Sequence, residues 1–385
     1  MRKTITIGDL GTIITGKTPP TTNKNYYGDY AVFIKPTDIS EQSKYTYETE
    51  EMYSKLAAEK YASSLIPKGA ICVPCIGTIG TKMTMAPCDC YTNQSINSIV
   101  CNENYDNEYV YYLIKNFLPG LKAYNLGTAS GREYVSKSNF EKIELIAEQD
   151  KTIQKKIGAF LSRYDYLIEN YQKQIKLLEE AAQRLYKEWF VDLHFPGHEN
   201  TKIVDGVPEG WEKKPVDSIY SIKYGKNLST KLISESGEFP VYGANGVIGY
   251  YDKANCNEQV VLITSRGNGS GDVLMTYHKD AFITNNSFIV SPLDDYSYCK
   301  LPFTYQFLKK ANFRAVRTGA AQPQLTNQSI HTVDVVLPSK NIIIDYCDKV
   351  SYINNKIITL RNQTRLLTEA RDRLLPKLMS GELKV

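Results

Sequence analysis

Histidine is scarce in this chain, with 4 residues among 385, and no Ser or Cys stands with a His at a position that both halves of the sequence share. The groupings that acid–base or nucleophilic catalysis require are therefore missing. Absent too is any Asn-Pro-Pro-Tyr or Asp-Pro-Pro-Tyr segment of the kind an amino-methyltransferase places around its target amine; Thr18-Pro19-Pro20 does not supply it. No apolar run approaches the ~18–20 residues that cross a bilayer. The opening MRKTITIGDL has no apolar signal-peptide stretch, so a cytoplasmic protein without membrane contact is expected. Neither sign of charge dominates, since 46 Lys and Arg face 42 Asp and Glu. The resulting net charge of +4 is compatible with a nucleic-acid partner without requiring one.

What the chain does have is a statement made twice. Shifted along itself by about 190 positions, the sequence sets Val135 on Leu325, Phe140 on Ile330, Ile143 on Val333 and Leu185 on Leu375. Further upstream the offset drifts, as loop insertions would make it, so that Asn93-Gln94-Ser95-Ile96 aligns with Asn285-Asn286-Ser287-Phe288 and Gly16-Lys17 with Gly225-Lys226. Solenoid repeats run to roughly 20–50 residues, so this period implies two whole domains related by a pseudo-two-fold axis. The 8 cysteines are read in that light. Cys72-x-x-Cys75 followed by Cys88-x-Cys90 has spacings a zinc site could use, but the second copy puts Leu262 and Ser265 where Cys72 and Cys75 stand. Free thiols acting as small hydrophobes, and no metal, are expected. His194 and His198 are separated by Pro196-Gly197, which breaks the helix that would aim both at one ion. Tyr is abundant, at 29 residues; it serves strands and binding surfaces alike.

Each half ends in a long amphipathic segment. Apolar positions recur in steps of four and three through Ile153, Ile157, Phe160, Tyr164, Leu167, Tyr171, Ile175, Leu178, Ala182, Leu185 and Trp189, with a stutter of two fours across Tyr171. The second series runs Tyr346, Val350, Ile353, Ile357, Leu360, Thr364, Leu367, Arg371, Leu374 and Leu378. These are heptad seams. Helices of about 40 residues are ~60 Å long, more than one small domain needs for its own packing, so the two are expected to bury each other as an antiparallel coiled coil. Strands are expected at Ala31–Ile34, Ala70–Val73, Val260–Thr264 and Phe282–Val290, and helices at Tyr109–Phe117 and Leu301–Ala311.

Two glycine motifs invite a nucleotide reading. Gly11 to Thr18 spell GTIITGKT, formally a phosphate-binding loop, but Pro19-Pro20 and a polar stretch follow where a helix is needed, and the second copy has Tyr220 in place of Gly11. Gly267-Asn268-Gly269-Ser270-Gly271 lies between two apolar segments and reads as a hairpin. Polar loop residues in like positions of both halves remain: Lys17, Thr18, Thr78, Lys82, Asn93, Gln94 and Arg132 in the first; Lys226, Arg266, Asn268, Asn285, Asn286, Arg314, Arg317, Gln322 and Gln324 in the second. Arg and Lys pair with guanine edges and Asn and Gln with adenine, while other lysines would meet phosphates. Any single one is better explained as a solvated loop residue; together, in both halves, they favour double-stranded DNA.

RLYKEWFVDLHFPG at 184–197 and RLLPKLMSGEL at 373–383 resemble the ends of the two helical regions in specificity subunits of type I restriction-modification systems. GKTPP at 16–20, FIKPTDI at 33–39 and TGAAQPQLT at 318–326 resemble segments of their target-recognition domains. The first half departs in lacking the lead-in at Pro208–Trp211 and in carrying TASGREY at 128–134 in place of the Gln-containing loop. The resemblance implies an α+β protein with two pseudo-two-fold-related target-recognition domains, 1–148 and 199–338, separated by helical regions 149–198 and 339–385. It also implies no catalysis by this chain, and a ruler that reads a bipartite site with an unread spacer. Two methyltransferase subunits using S-adenosylmethionine would dock on the helical regions, among whose seam residues are Tyr164, Leu167, Tyr171, Leu178, Trp189, Ile353, Ile357, Leu360 and Leu367. Two motor-endonuclease subunits using ATP and Mg would add restriction. The alternative is a coiled-coil scaffold whose paired domains bind protein.

Overall fold

The computed structural model describes residues 2–127, 133–319 and 322–385. The chain forms two compact units, Met1–Tyr171 with Gln363–Val385, and Gln172–Asn362. The boundary between them runs through both long helices, Lys151–Phe190 and Lys340–Ser380, so each unit joins one globular region to a part of each helix.

The two globular regions share one topology. In the first, a four-stranded antiparallel sheet runs in the order Gly11–Thr15, Ile96–Cys101, Ile71–Pro74, Thr84–Met85. In the second the order is Tyr220–Tyr224, Ser287–Pro292, Val261–Thr264, Val273–Met275. Beside each sheet lies a short parallel pairing, Phe33 with Tyr91 in one region and Val241 with Phe282 in the other. Each region also has an antiparallel ribbon closing its ends, Arg2–Thr6 on Glu144–Glu148 and Glu212–Pro215 on Asp334–Leu337. A helix then covers the sheet: Asn107–Phe117, whose first turn is capped by the Asp106 carboxylate accepting the Tyr109 amide at 3.0 Å, and Leu301–Lys310, with Pro302 in its first turn. The expected continuous strand Phe282–Val290 is instead two, Phe282–Ile283 and Ser287–Pro292. The Ser287 amide bonds back to the Thr284 carbonyl at 3.1 Å, turning Thr284–Asn286 out as a loop.

Much of the tyrosine is core. Tyr53, Tyr109, Tyr111, Tyr112, Tyr220 and Tyr346 are among the largest fully buried side chains. In the first unit, Ile157 and Leu161 from the start of the central helix share a cluster with Leu375, Leu378 and Met379 from the end of the C-terminal helix. In the second, Tyr186 and Trp189 from the end of the central helix share one with Ile343, Tyr346 and Val350 from the start of the other. Within each unit the helices therefore run antiparallel.

The seam of the central helix lies one residue away from the expected one over part of its length. Ile157, Leu161, Asp165 and Ile168 are buried, whereas Leu167 is 38% exposed and Tyr164 and Tyr171 are half-buried; the consecutive fours thus fall across Leu161 and not Tyr171. Asp165 causes the difference. Its carboxylate meets Arg371 Nη1 at 2.5 Å and accepts the Tyr112 hydroxyl, and both Asp165 and Arg371 are buried. An apolar periodicity steps past an aspartate to the tyrosine beside it. On the C-terminal helix the expected seam holds, with Ile357, Leu360, Arg371 and Leu378 buried and Ile353 and Leu367 half-buried; on the central helix Ile175 and Trp189 are buried and Leu178 is half-buried.

Breaking a buried ion pair strands a charge, whereas replacing both partners by apolar groups is close to neutral. Arg371→Met is accordingly expected to cost about 3–5 kcal/mol in chemical denaturation of the full chain, and Asp165→Leu combined with Arg371→Met to recover most of that loss. Equal losses in the single and double variants would mean that the pair contributes packing alone.

Candidate nucleic-acid interface

At one end of the second sheet, four loops are tied together by backbone hydrogen bonds. Ser265 sits at the centre: its amide donates to the Asn286 carbonyl at 2.8 Å and its carbonyl accepts the Leu325 amide at 2.7 Å. Arg266 pairs with Gln324 in an antiparallel bridge, and the Gly267 amide reaches the Pro323 carbonyl at 2.9 Å. From the fourth side the Lys226 amide donates to Ile283 and its carbonyl accepts the Asn285 amide, both at 3.0 Å. Lys226, Arg266, Asn268, Gln322 and Gln324 are exposed there, and Asn285 and Asn286 half-buried.

The first unit repeats most of the scheme, except that the Lys17 carbonyl accepts the Tyr53 hydroxyl where that of Lys226 accepts an amide. Cys75 replaces Ser265, its amide on the Ser95 carbonyl at 2.7 Å and its carbonyl accepting Val135 at 2.8 Å. Ile76 bridges Tyr134, the Gly77 amide reaches Glu133 at 3.0 Å, and the Lys17 amide donates to Thr92 at 2.9 Å. Lys17, Thr18, Thr78 and Gln94 are exposed and Lys82 and Asn93 half-buried, with Thr18 donating to the Gln94 side chain and the Lys17 ammonium 3.3 Å from Ser63 Oγ. Arg132 lies outside the described residues.

These bonds correct the alignment of the two halves by one residue. Gly16 bonds Ile96 where Gly225 bonds Ser287, and the Asn93 amide meets Ile34 where the Thr284 amide meets Tyr242. Asn93 thus corresponds to Thr284, Gln94 to Asn285 and Ser95 to Asn286. The expected match of Asn93 with Asn285 followed the Asn-x-Ser spelling and missed the frame.

The Gly-Lys repeat has a packing explanation. A Cβ on Gly16 would lie 2.1 Å from the Thr92 carbonyl oxygen, and one on Gly225 would lie 2.3 Å from that of Thr284, so only glycine lets the two loops meet. The strand Gly11–Thr15 leads to no helix start; the next helical residues are the single turn Lys24–Tyr26. The Lys17 amide is already spent on Thr92. With the Gly16 and Lys17 amides engaged and no helix start following, the loop does not form the amide cradle that a phosphate needs. Gly267–Gly271 connects the antiparallel strands Val261–Thr264 and Val273–Met275, a hairpin.

Not every predicted reader has a free head group. Arg314 is held by Asp272, with Nε at 2.9 Å and Nη2 at 2.5 Å from one carboxylate oxygen. Arg317 bonds the Arg314 carbonyl at 3.0 Å and the Asn268 carbonyl at 3.4 Å. These two brace the 267–272 hairpin. In the first unit a carboxylate does similar work, Glu133 Oε2 accepting the Ile79 amide at 3.1 Å. Neither Asp272 nor Glu133 is signalled by the sequence, because acids are not the residue types that contact DNA. The cysteines are structural neighbours of this site: burial pushes the Cys72 and Cys75 thiols up to about 12, keeping them neutral. Among the described residues no group of three or more His, Cys, Asp or Glu could hold a metal ion, and no helix is long and apolar enough to cross a membrane.

Gly16→Ala is expected to force the Thr92–Asn93 loop away, costing about 1–3 kcal/mol in thermal or chemical unfolding. Wild-type stability together with wild-type DNA affinity would show that the close approach is dispensable.

Comparison with known proteins places this geometry. A family model described as the type I restriction modification DNA specificity domain matches residues 2–180 and again 208–365. The chain is 27% identical over 407 residues to the type I restriction enzyme MjaIX specificity subunit of Methanocaldococcus jannaschii, an alignment covering 98% of this chain and 93% of that protein. It is 37% identical over 164 residues, 41% of this chain and 35% of that protein, to the HindI specificity subunit of Haemophilus influenzae. In fold it is similar to the S subunit of a type I restriction-modification system from M. genitalium, with a TM-score of 0.58 at 19% identity, covering 98% of this chain and 96% of that one. Two matched specificity domains, the repeated α+β topology and the long helices together establish that the chain belongs to the type I restriction-modification specificity family, whose members recognise DNA as non-catalytic subunits of a larger complex.

Proposed function

We propose that this chain reads a bipartite, non-palindromic DNA site, one half-site per loop cluster, for a complex of two methyltransferase and two motor-endonuclease subunits. The observation that carries the reading is the contrast between the two clusters. Most of their backbone hydrogen bonds coincide while their side chains do not: Ile76 stands where Arg266 does, Thr78 where Asn268 does, Gln94 where Asn285 does, and Tyr134 where Gln324 does. One scaffold carrying two sets of hydrogen-bonding groups suits two different base sequences, because base edges are distinguished by donor and acceptor pattern. The chain positions; its partners react. S-adenosylmethionine belongs to the methyltransferase subunits, and ATP with Mg to the motor subunits. The lengths of the paired helices set the unread spacer between the half-sites.

Single-molecule methylation sequencing of DNA from cells carrying the assembled complex tests this. A bipartite adenine motif that disappears on disruption of the gene is expected, and Arg266→Ala should relax the second half-site alone, by about 1–3 kcal/mol at one base pair. An unchanged methylome on disruption would instead move the function toward protein binding. Deleting one heptad from each helix should alter the spacer and leave both half-sites intact; a constant spacer would refute its control by helix length.

A further inference from the structure

The predicted readers come from loops that the two halves share in sequence, yet a further turn reaches the same place in the second unit. Phe239–Gly243 and Gly246–Tyr251 form a hairpin whose two-residue connection, Ala244–Asn245, is closed by Gly246 at φ 102°. Three bonds fasten its approach to the loop cluster. The Thr284 amide donates to the Tyr242 carbonyl at 3.0 Å, Ser287 Oγ to Gly243 at 3.3 Å, and Thr264 Oγ1 to Ala244 at 2.8 Å. Asn245 is thereby set against the 267–272 hairpin, its side-chain oxygen 3.3 Å from where a Cβ on Gly269 would lie. It is exposed, and its amide has no hydrogen bond with any described residue. Its arginine neighbours differ, since Arg314 and Arg317 are committed to Asp272 and to backbone carbonyls.

We propose that Asn245 is a specificity-determining residue of the second half-site, its amide pairing with the major-groove edge of one adenine. This rests on the DNA-reading function above and adds a reader to it. An amide presents a donor and an acceptor side by side, which is the pattern adenine complements through N7 and N6. A short hairpin fixed by three bonds presents that group at little entropic cost. A carboxamide left without a protein partner at the rim of a braced loop is suited to an external base more than to stabilising the fold.

The test uses the complex assembled with its methyltransferase subunits, acting on a DNA library in which each position of the second half-site is varied in turn. Asn245→Asp preserves shape and the acceptor but removes the donor; Asn245→Ala removes both. The expected result is a ~5- to 150-fold loss of discrimination at one base pair of the second half-site, with the first half-site and spacer unchanged. Wild-type discrimination by Asn245→Asp at every position would overturn the assignment while the DNA-reading function stands. Equal loss across all positions in both variants would overturn it too, marking Asn245 as a folding residue. Absence of any bipartite motif from the wild-type complex would remove the reading beneath it.

Discussion

Close backbone approach at two glycines governs what each loop cluster can present. Where Gly16 meets the carbonyls of Thr92 and Asn93, and Gly225 those of Ile283 and Thr284, the chain passes at a distance no other residue allows. That passage seats the Lys17 and Lys226 amides on their acceptors. Those bonds in turn hold the turn between the parallel-paired strand and the long inner strand, from which Gln94 in one unit and Asn285 in the other project. A methyl group at either glycine is paid for by moving backbone, and moved backbone carries every exposed side chain of the cluster with it.

Burial of charge plays the complementary part on the helices. Asp165 and Arg371 occupy seam positions where leucine would pack at less desolvation cost. A fully apolar seam tolerates slippage by a heptad, because one leucine layer resembles the next. A buried aspartate is satisfied at one register only, where Arg371 and the Tyr112 hydroxyl both reach it. Since Tyr112 belongs to the helix that covers the first sheet, the same carboxylate ties the registered helices to the globular region of its unit. In the second unit Arg361, only partly buried, lies 2.7 Å from Glu179 with its guanidinium 3.7 Å from the centre of the Tyr277 ring. Different residues thus anchor helix to domain in the two units, although the sheets repeat.

Much of this was legible in the sequence, and the failures have physical causes. Long helices announce themselves by period, and both did, to within a few residues of Lys151–Phe190 and Lys340–Ser380. The phase of a seam is less secure than its existence: Leu167 was expected inside and Ile168 is there, because an aspartate such as Asp165 belongs by type to the surface. Repeat alignment likewise succeeded in the strands and slipped by one at Asn93, where spelling and backbone frame diverge. The candidate site followed the same rule. Shared loops were found since both halves contain them, while Asp272, Glu133 and Asn245 were invisible, their importance lying in contacts between segments distant in sequence.

Arg314 and Arg317 show that residue type alone does not reveal what a guanidinium meets in the fold. Arginine is the natural choice for a guanine edge, yet here a carboxylate and backbone carbonyls occupy the guanidinium groups. Releasing Arg314 would leave the Asp272 carboxylate without its partner, so the pair as it stands braces the hairpin. The brace fixes the 267–272 hairpin, and a fixed hairpin gives Asn268 and the neighbouring Arg266 a defined geometry. A small net charge is no obstacle to selective recognition of DNA: phosphate attraction scales with the number of cations, whereas discrimination between bases scales with how rigidly a few donors and acceptors are aimed.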